Sequence, residues 1–577
     1  MPTCSARRSG VRRIKVTSEG SSNIRRGFTG NPTIGLLGAV LIGVAAFGQG
    51  GAVLYNGIRL PSVWPPSDTP LSSEPREAPY LLTPPEVIPI DVGRQLFVDH
   101  FLIEQTDLRR TFHRPTYYPA NPVLKPDKPW ERIEGVGKAT PFSDGVFWDP
   151  QDQLFKAWYR TIDATGYATS RDGVRWEKPV LDVKAGTNLV HVGHRDSATV
   201  WLDLEEKDPK RRYKFLWIGG HGVPLNLNYS ADGIHWGEVV AKSLPTSDRT
   251  TFFRNPFRNV WVFSLRDHDW VPGRPYPDTA PLGRLRRYWE HSDAAEGLKW
   301  PKGAPVFWVG ADRLDHRRVD LNVLPQLYNL DAVAYESLLV GMFTIWRGQP
   351  TDRDKPNELT AGFSRDGFHW DRPDRRAFLP VSEKFGDWNY ANVQSAGGVC
   401  LVVGDRLYFY MSGRESIRGV RAEGESSMGL AVLRRDGFAS MDADGRGGSL
   451  TTRPVRFKGR HLFVNVDSTA GELTAEILDE KGRVIEPYSR ASSLPVRVDN
   501  TLQAVRWRGG ADLSSLSGRP VRFRFYLRDA SLYSFWVSPD ASGASYGYLG
   551  AGSPGVPGII DTVGSDAYRR CCPPLTW

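Results

Sequence analysis

The chain has 577 residues, enough for two or three domains, with 19 Trp, 58 Gly and 43 Pro, a composition of aromatic, turn-rich β structure rather than of helices. Its net charge of +9 is concentrated at the start: Arg7, Arg8, Arg12, Arg13, Lys15, Arg25 and Arg26 against Glu19 give +6 over residues 1–26 and leave +3 for the other 551. The body is near neutral, which removes the main support for a nucleic-acid partner. Four cysteines (Cys4, Cys400, Cys571, Cys572) make no disulfide framework.

The basic start precedes an uncharged Gly/Ala-rich apolar stretch from Ile34 to Phe47. This pattern predicts export by a secretory signal, and Arg25-Arg26-Gly27-Phe28 resembles a twin-arginine signal. Continued to Leu54, the stretch is instead a membrane anchor over residues 34–54, close to the length of about 20 residues a span requires. Residues 1–55 are thus signal or anchor, and the Pro-rich stretch 56–90 is expected to be a linker.

From residue 91 a phrase recurs. Ser170-Arg171-Asp172-Gly173-Val174-Arg175-Trp176 returns as Ser230-Ala231-Asp232-Gly233-Ile234-His235-Trp236 and as Ser364-Arg365-Asp366-Gly367-Phe368-His369-Trp370. Weaker copies are Ser292-Asp293 with Trp300, and Arg434-Arg435-Asp436-Gly437-Phe438. With starts at 170, 230, 292, 364 and 434, the steps are 60, 62, 72 and 70 residues. Such a period suits a four-stranded propeller blade with insertions, and five copies predict five blades over 91–445. Each phrase follows a β-branched, aromatic run, itself preceded by a turn signal such as Asp149-Pro150, Asp208-Pro209 or Asn255-Pro256. The Asp-Gly pair is a turn, Gly supplying positive φ and Asp bonding backbone amides, and the Trp is an anchor between blades. Segments 449–540 alternate apolar and polar side chains and predict an antiparallel β-sandwich. The Gly/Ser/Pro-rich tail 541–577 is expected to be disordered.

Chemistry in a propeller belongs where the inner strands begin, on one rim. Those starts fall near Glu134, Asp196, Asp248, Asp331 and Asn392. Paired carboxylates are the minimum for glycosidic hydrolysis, so Glu134, Asp196 and Asp248 are the candidate catalytic residues. Arg160, Arg266, Arg347 and Arg414 close the second strands of four blades on the same rim. They either bind an acidic or hydroxylated sugar or pair with the neighbouring acids. Trp130, Trp270, Trp346 and Trp388 lie in the same region, with Trp130 and Trp388 taken as sugar-stacking platforms. Glu336 is a reserve acid. The histidines show no zinc spacing, and no metal or cofactor is expected.

The five units, the Asp-Gly turns and the appended sandwich resemble the secreted five-bladed propeller glycosidases of the invertase/inulinase and arabinanase/xylosidase group. Leu96-Phe97-Val98-Asp99 and Asn121-Pro122-Val123-Leu124 look like the opening of uncharacterised bacterial relatives. The resemblance implies acids on the inner strands of the first three blades. It is matched in position but not in residue type, since the group ends its set with Glu, and its Asn-Asp-Pro-Asn-Gly opening is missing. The expectation is an exported glycoside hydrolase-like protein acting on a polysaccharide or oligosaccharide. A non-catalytic carbohydrate-binding propeller is the alternative, and a lyase using Tyr328 or His268 as base is the third.

Overall fold

A computed structural model describes residues 51–67, 69–269, 282–419, 423–510 and 512–570. Residues 1–50 of the leader expected over residues 1–55, and Trp270, lie outside them. Among the described residues no helix is long and apolar enough to cross a membrane.

Five antiparallel sheets form the blades of a propeller. Blade I runs from its inner strand Val146–Asp149 through Leu154–Arg160 and Ala164–Ser170 to Leu189–Val192. Blade II is Ser197–Leu202, Tyr213–Ile218, Val223–Ser230 and Val239–Thr246, and blade III is Thr251–Asn255, Val260–His268, Arg284–His291 and Val306–Gly310. Blade IV has Gln326–Glu336, Leu338–Trp346 and Glu358–Ser364, with single bridges at Leu379 and Asp371 in place of a fourth strand. Blade V has Asn392–Ser395, Arg406–Ser416 and Glu423–Arg434, and its outer strand is Thr116–Tyr117, from ahead of blade I. The ring is therefore closed by the N-terminal part of the chain. Every residue of the inner strand Gln326–Glu336 is buried, its polar side chains Gln326, Asn329, Asp331 and Glu336 included.

The Asp-Gly part of the recurrent phrase forms the expected turn, and of its tryptophans Trp176 meets Tyr410 of blade V and Trp370 meets Trp308 of blade III, while Trp236 meets Phe215 of its own blade. In blade II, Asp232 Oδ1 accepts the amides of Ile234 and His235, while Ser230 Oγ accepts that of Gly233, whose φ is 78°. Each turn is also bonded by the preceding blade. Trp158 Nε1 donates to the Gly233 carbonyl at 2.7 Å, Trp308 Nε1 to Phe368 at 2.7 Å, and Tyr410 Oη of blade V to Gly173 of blade I at 2.6 Å. The weaker copies use charge instead: Arg211 reaches Asp293 at 2.6 Å, and Tyr335 Oη reaches Asp436 at 2.5 Å. The staples thus go round the whole ring.

The sandwich has one sheet of Asp499–Ala504, His461–Asp467, Ala530–Ser538, Ala439–Ala443 and Arg109–Phe112, and a second of Ile103–Thr106, Gly448–Thr452, Arg522–Arg528 and Glu472–Leu478. Arg522–Arg528 alternates buried and half-buried residues, as a one-sided sheet should. Three sequence expectations are corrected. The propeller does not begin at 91, because Gln95–Leu96, Ile103–Thr106 and Arg109–Phe112 pair within the sandwich. The stretch 56–90 is not a free linker: Ile58, Leu60, Tyr80, Ile88 and Ile90 are buried in the sandwich core. Tyr55 stacks on Phe257 of blade III at 4.4 Å and donates to the Ser337 carbonyl, and the chain turns at Gly57.

The tail is the third correction. Residues 541–570 return to the propeller, where Tyr548–Leu549 pairs with Tyr335 and Glu336 of blade IV. The Gly550 amide bonds Ala334, the Ala551 amide bonds Cys400, and Trp148 donates its amide to Ala551. The segment closes the end of the channel at which the inner strands finish. Its many glycines are needed for close approach: a Cβ on Gly550 would lie 2.3 Å from the Cys400 carbonyl oxygen. Gly/Ser/Pro content suggests disorder, but backbone pairing secures the segment together with burial of Leu549, Ala551, Val556 and Ala567 in the propeller core.

Candidate functional site

With one end of the channel plugged, the charged residues gather at the other, where the inner strands begin. On its floor Asp331 Oδ2 accepts from Ser143 Oγ of blade I at 2.8 Å, Asn329 Nδ2 of blade IV at 2.8 Å and Ser395 Oγ of blade V at 2.5 Å. Burial raises the Asp331 carboxyl above its usual range, with the Ser395 bond and Arg249 opposing. Arg249, fully buried, donates to the Phe142 carbonyl at 2.9 Å and to Ser143 Oγ at 3.1 Å. Arg286, equally buried, donates to the Arg249 carbonyl at 2.6 Å and to Asn329 Oδ1 at 3.2 Å. Neither guanidinium has a carboxylate in ion-pair contact among the described residues. Phe142, Ser143 and Arg249 all have left-handed backbones, with φ of 40°, 72° and 57°. Non-glycine residues held this way cost about 1–3 kcal/mol each and collect at functional sites.

Two carboxylates stand above this floor. Asp144 lies two residues before the inner strand of blade I, and its Oδ2 accepts from Arg195 at 2.7 Å. Burial pushes its carboxyl up to about 6, even though Arg195, Arg160 and Arg249 pull the other way. Its Oδ1 is buried without a hydrogen-bond partner. Asp196, beginning blade II, is half-buried and has Oδ2 in the same condition.

Tyr328 of blade IV completes the wall. Burial would raise its phenol, but Lys355, followed by Arg249, Arg266 and Arg414, outweighs burial and holds it below the usual tyrosine range. Lys355 Nζ lies 5.8 Å from its ring centroid and the Arg284 guanidinium 5.7 Å.

Of the residues expected from sequence, Asp196 stands where the inner-strand rule places it, and Asp248 does so in ion pairing with Arg266. Glu134 does not. It is the exposed tip of the Arg132–Ile133 and Val136–Gly137 hairpin, while the inner strand of blade I begins only at Val146. Asp144 holds the position that Glu134 was expected to take. Arg414 is paired with Asp354 at 2.6 Å and Glu423 at 2.9 Å, and Arg347 with Glu358 at 3.3 Å. Arg160 lies over the Phe142 ring at 5.2 Å, with Nε buried and without a partner. Trp130 donates to Asn188, beside the outer strand of blade I, and is no rim platform. Trp388 lies flat on blade V, where a Cβ on Gly413 or Gly429 would meet its ring at 1.9–2.0 Å. Trp346 is buried, with the Arg284 guanidinium 5.2 Å from its ring. Glu336 is sealed at the plugged end against Arg435 at 2.8 Å and Arg94 at 3.5 Å, far along its strand from the mouth. His268 is half-buried and held below its usual range by burial. No group of three or more His, Cys, Asp or Glu among the described residues is placed to hold a metal ion.

No protein-family model matches the chain, and no curated protein matches it. Solved glycan-active proteins are similar to it. An N-acetylgalactosamine deacetylase from F. plautii, in complex with blood group B trisaccharide, aligns at 15% identity over 56% of this chain and 96% of that one, with a TM-score of 0.40. A fructofuranosidase from Schwanniomyces occidentalis complexed with fructosylnystose gives 11% identity, 74% and 96% coverage and a TM-score of 0.32. A family 43 arabinoxylan arabinofuranohydrolase from Bacillus subtilis in complex with cellotetraose gives 10%, 74% and 99%, and 0.35. The propeller itself is established by the strand pairing of this chain.

Proposed function

We propose that the open mouth is a glycan-cleaving site of the hydrolase type, with Asp144 as proton donor and Asp196 as the second carboxylate. The observation that carries this reading is the pair of inner-strand carboxylates on adjacent blades, each with one oxygen unpartnered. Hydrolysis of a glycosidic bond needs one carboxyl that keeps its proton near neutrality and another that is ionised. Burial gives Asp144 the first property. Asp248 holds Arg266 in place. Export through the basic and apolar leader belongs to the same reading, since a polysaccharide is met outside the cell, and the N-terminal sequence of the mature protein tests it.

The test is sugar release from a polysaccharide panel by the full chain. Asp144→Asn and Asp196→Asn should each lower turnover by at least ~100-fold, while Glu134→Gln leaves it unchanged. Full turnover in both Asn variants would overturn the assignment. A second reading, a binding propeller without catalysis, is favoured by the pairing of Asp144 with Arg195 and of Asp248 with Arg266. It predicts saturable glycan binding with no product after long incubation.

A further inference from the structure

The charges at the mouth are not evenly matched. Arg195, Arg266 and Arg414 have carboxylate partners. Arg160 and Lys355 have none: among the described residues neither side chain makes a hydrogen bond or an ion pair, and both are half-buried. Holding an ammonium or guanidinium partly out of water without a partner costs free energy that a ligand anion would recover. Beneath them lie Arg249 and Arg286, fully buried and bonded to carbonyl, hydroxyl and amide oxygens only. The one carboxylate on that floor, Asp331, is raised by burial above its usual range and is a single acid set against two guanidiniums. Fixed cations in a low-dielectric cleft raise the local concentration of anions. Tyr328 stands among these cations with its hydroxyl able to donate to an anionic oxygen.

Resting on the glycan reading above, we infer that the mouth takes an anionic sugar, one bearing a carboxylate or a sulfate ester, whose acidic group is bound by Arg160 and Lys355, with Tyr328 beside Lys355. Arg160 comes from blade I and Lys355 from the loop ahead of the third strand of blade IV, so the anion would bridge two blades. Arg160 supplies a planar fork suited to either oxyanion, and Lys355 a point charge. Asp196, the ionised member of the pair, repels such a group and orients it toward the cationic wall, leaving the glycosidic oxygen on the side of Asp144 and Asp196.

The experiment is binding of short oligosaccharides to the full chain in four forms: oligogalacturonate and its methyl ester, and κ-carrageenan oligosaccharides with and without their sulfates. Binding of an acidic form at least ~10-fold tighter than its neutral counterpart supports the inference, and which acidic form binds separates uronate from sulfate. Arg160→Gln and Lys355→Gln should each remove most of that preference. Arg160→Lys should keep part of it, which separates lost charge from lost folding. Equal binding of charged and neutral forms overturns the anion subsite while leaving the glycan reading intact. Failure of the wild type to bind any sugar, in these forms or on the polysaccharide panel, overturns both.

Discussion

Asp144 controls the pH dependence expected of the mouth. Its carboxyl, pushed up to about 6 by burial, carries the proton only below that pH. Turnover should therefore fall as the pH rises through about 6, a descending limb visible in a pH–rate profile. Asp371, where blade IV meets the sandwich, tests the same physics without catalysis. Burial, and then the nearby Asp99 carboxylate, raises it to about 7. A raised acid favours the folded state fully below its unfolded value of about 4, and that contribution disappears as the pH rises through about 7. Asp371→Asn should accordingly be more stable than the wild type at pH 8, by up to roughly 4 kcal/mol, and unfold at higher temperature, with the gain shrinking toward pH 4 in thermal melts. Residues like these were the least legible in the sequence. Asp144 lies five residues before Asp149, but Asp196 lies twelve before Asp208, because the turn in blade II carries an extra Asp203–Arg212 loop. A start read near Glu134 in blade I therefore fell on a separate hairpin, twelve residues short of the inner strand at Val146.

At the scale of elements, the Asp-Gly turn was legible because its requirements are local. Only a small set of residues supplies positive φ and an amide-accepting side chain within three positions. What the spacing did not show is that each turn's carbonyls or carboxylate are bonded from the neighbouring blade. Gly233→Ala separates the two roles. A Cβ there lies 2.5 Å from the Trp158 ring, whereas at Gly186, with nearly the same φ of 78°, it meets nothing within 4 Å. Gly186→Ala should cost only the backbone term of about 1–2 kcal/mol. Gly233→Ala should add an overpacking term of roughly 1–3 kcal/mol by displacing the inter-blade bond. Denaturant midpoints of the two variants check this, and equal midpoints would show that the contact with Trp158 contributes nothing.

Across the whole molecule, blade number and sandwich were readable because they follow from repetition and alternation, whereas the path of the chain was not. Nothing in the local pattern of Ile103–Thr106 or Arg109–Phe112 says that their partners lie more than 300 residues away. A fragment of residues 446–540 should consequently remain unfolded by circular dichroism, since it lacks the strands at 103–112 and 439–443, and supplying residues 88–112 and 439–445 should restore structure. The closure of blade V by Thr116–Tyr117 has a consequence for the chain's history. A strand made early must wait for Glu423–Arg434, about 300 residues later, before its amides are paired. At ribosomal rates of about 5–20 residues per second, that is a delay of roughly 15–60 seconds. Throughout that interval the nascent polypeptide carries unpaired strand edges, which would favour aggregation if it collapsed early and instead suit a precursor kept unfolded until its last third has been synthesised.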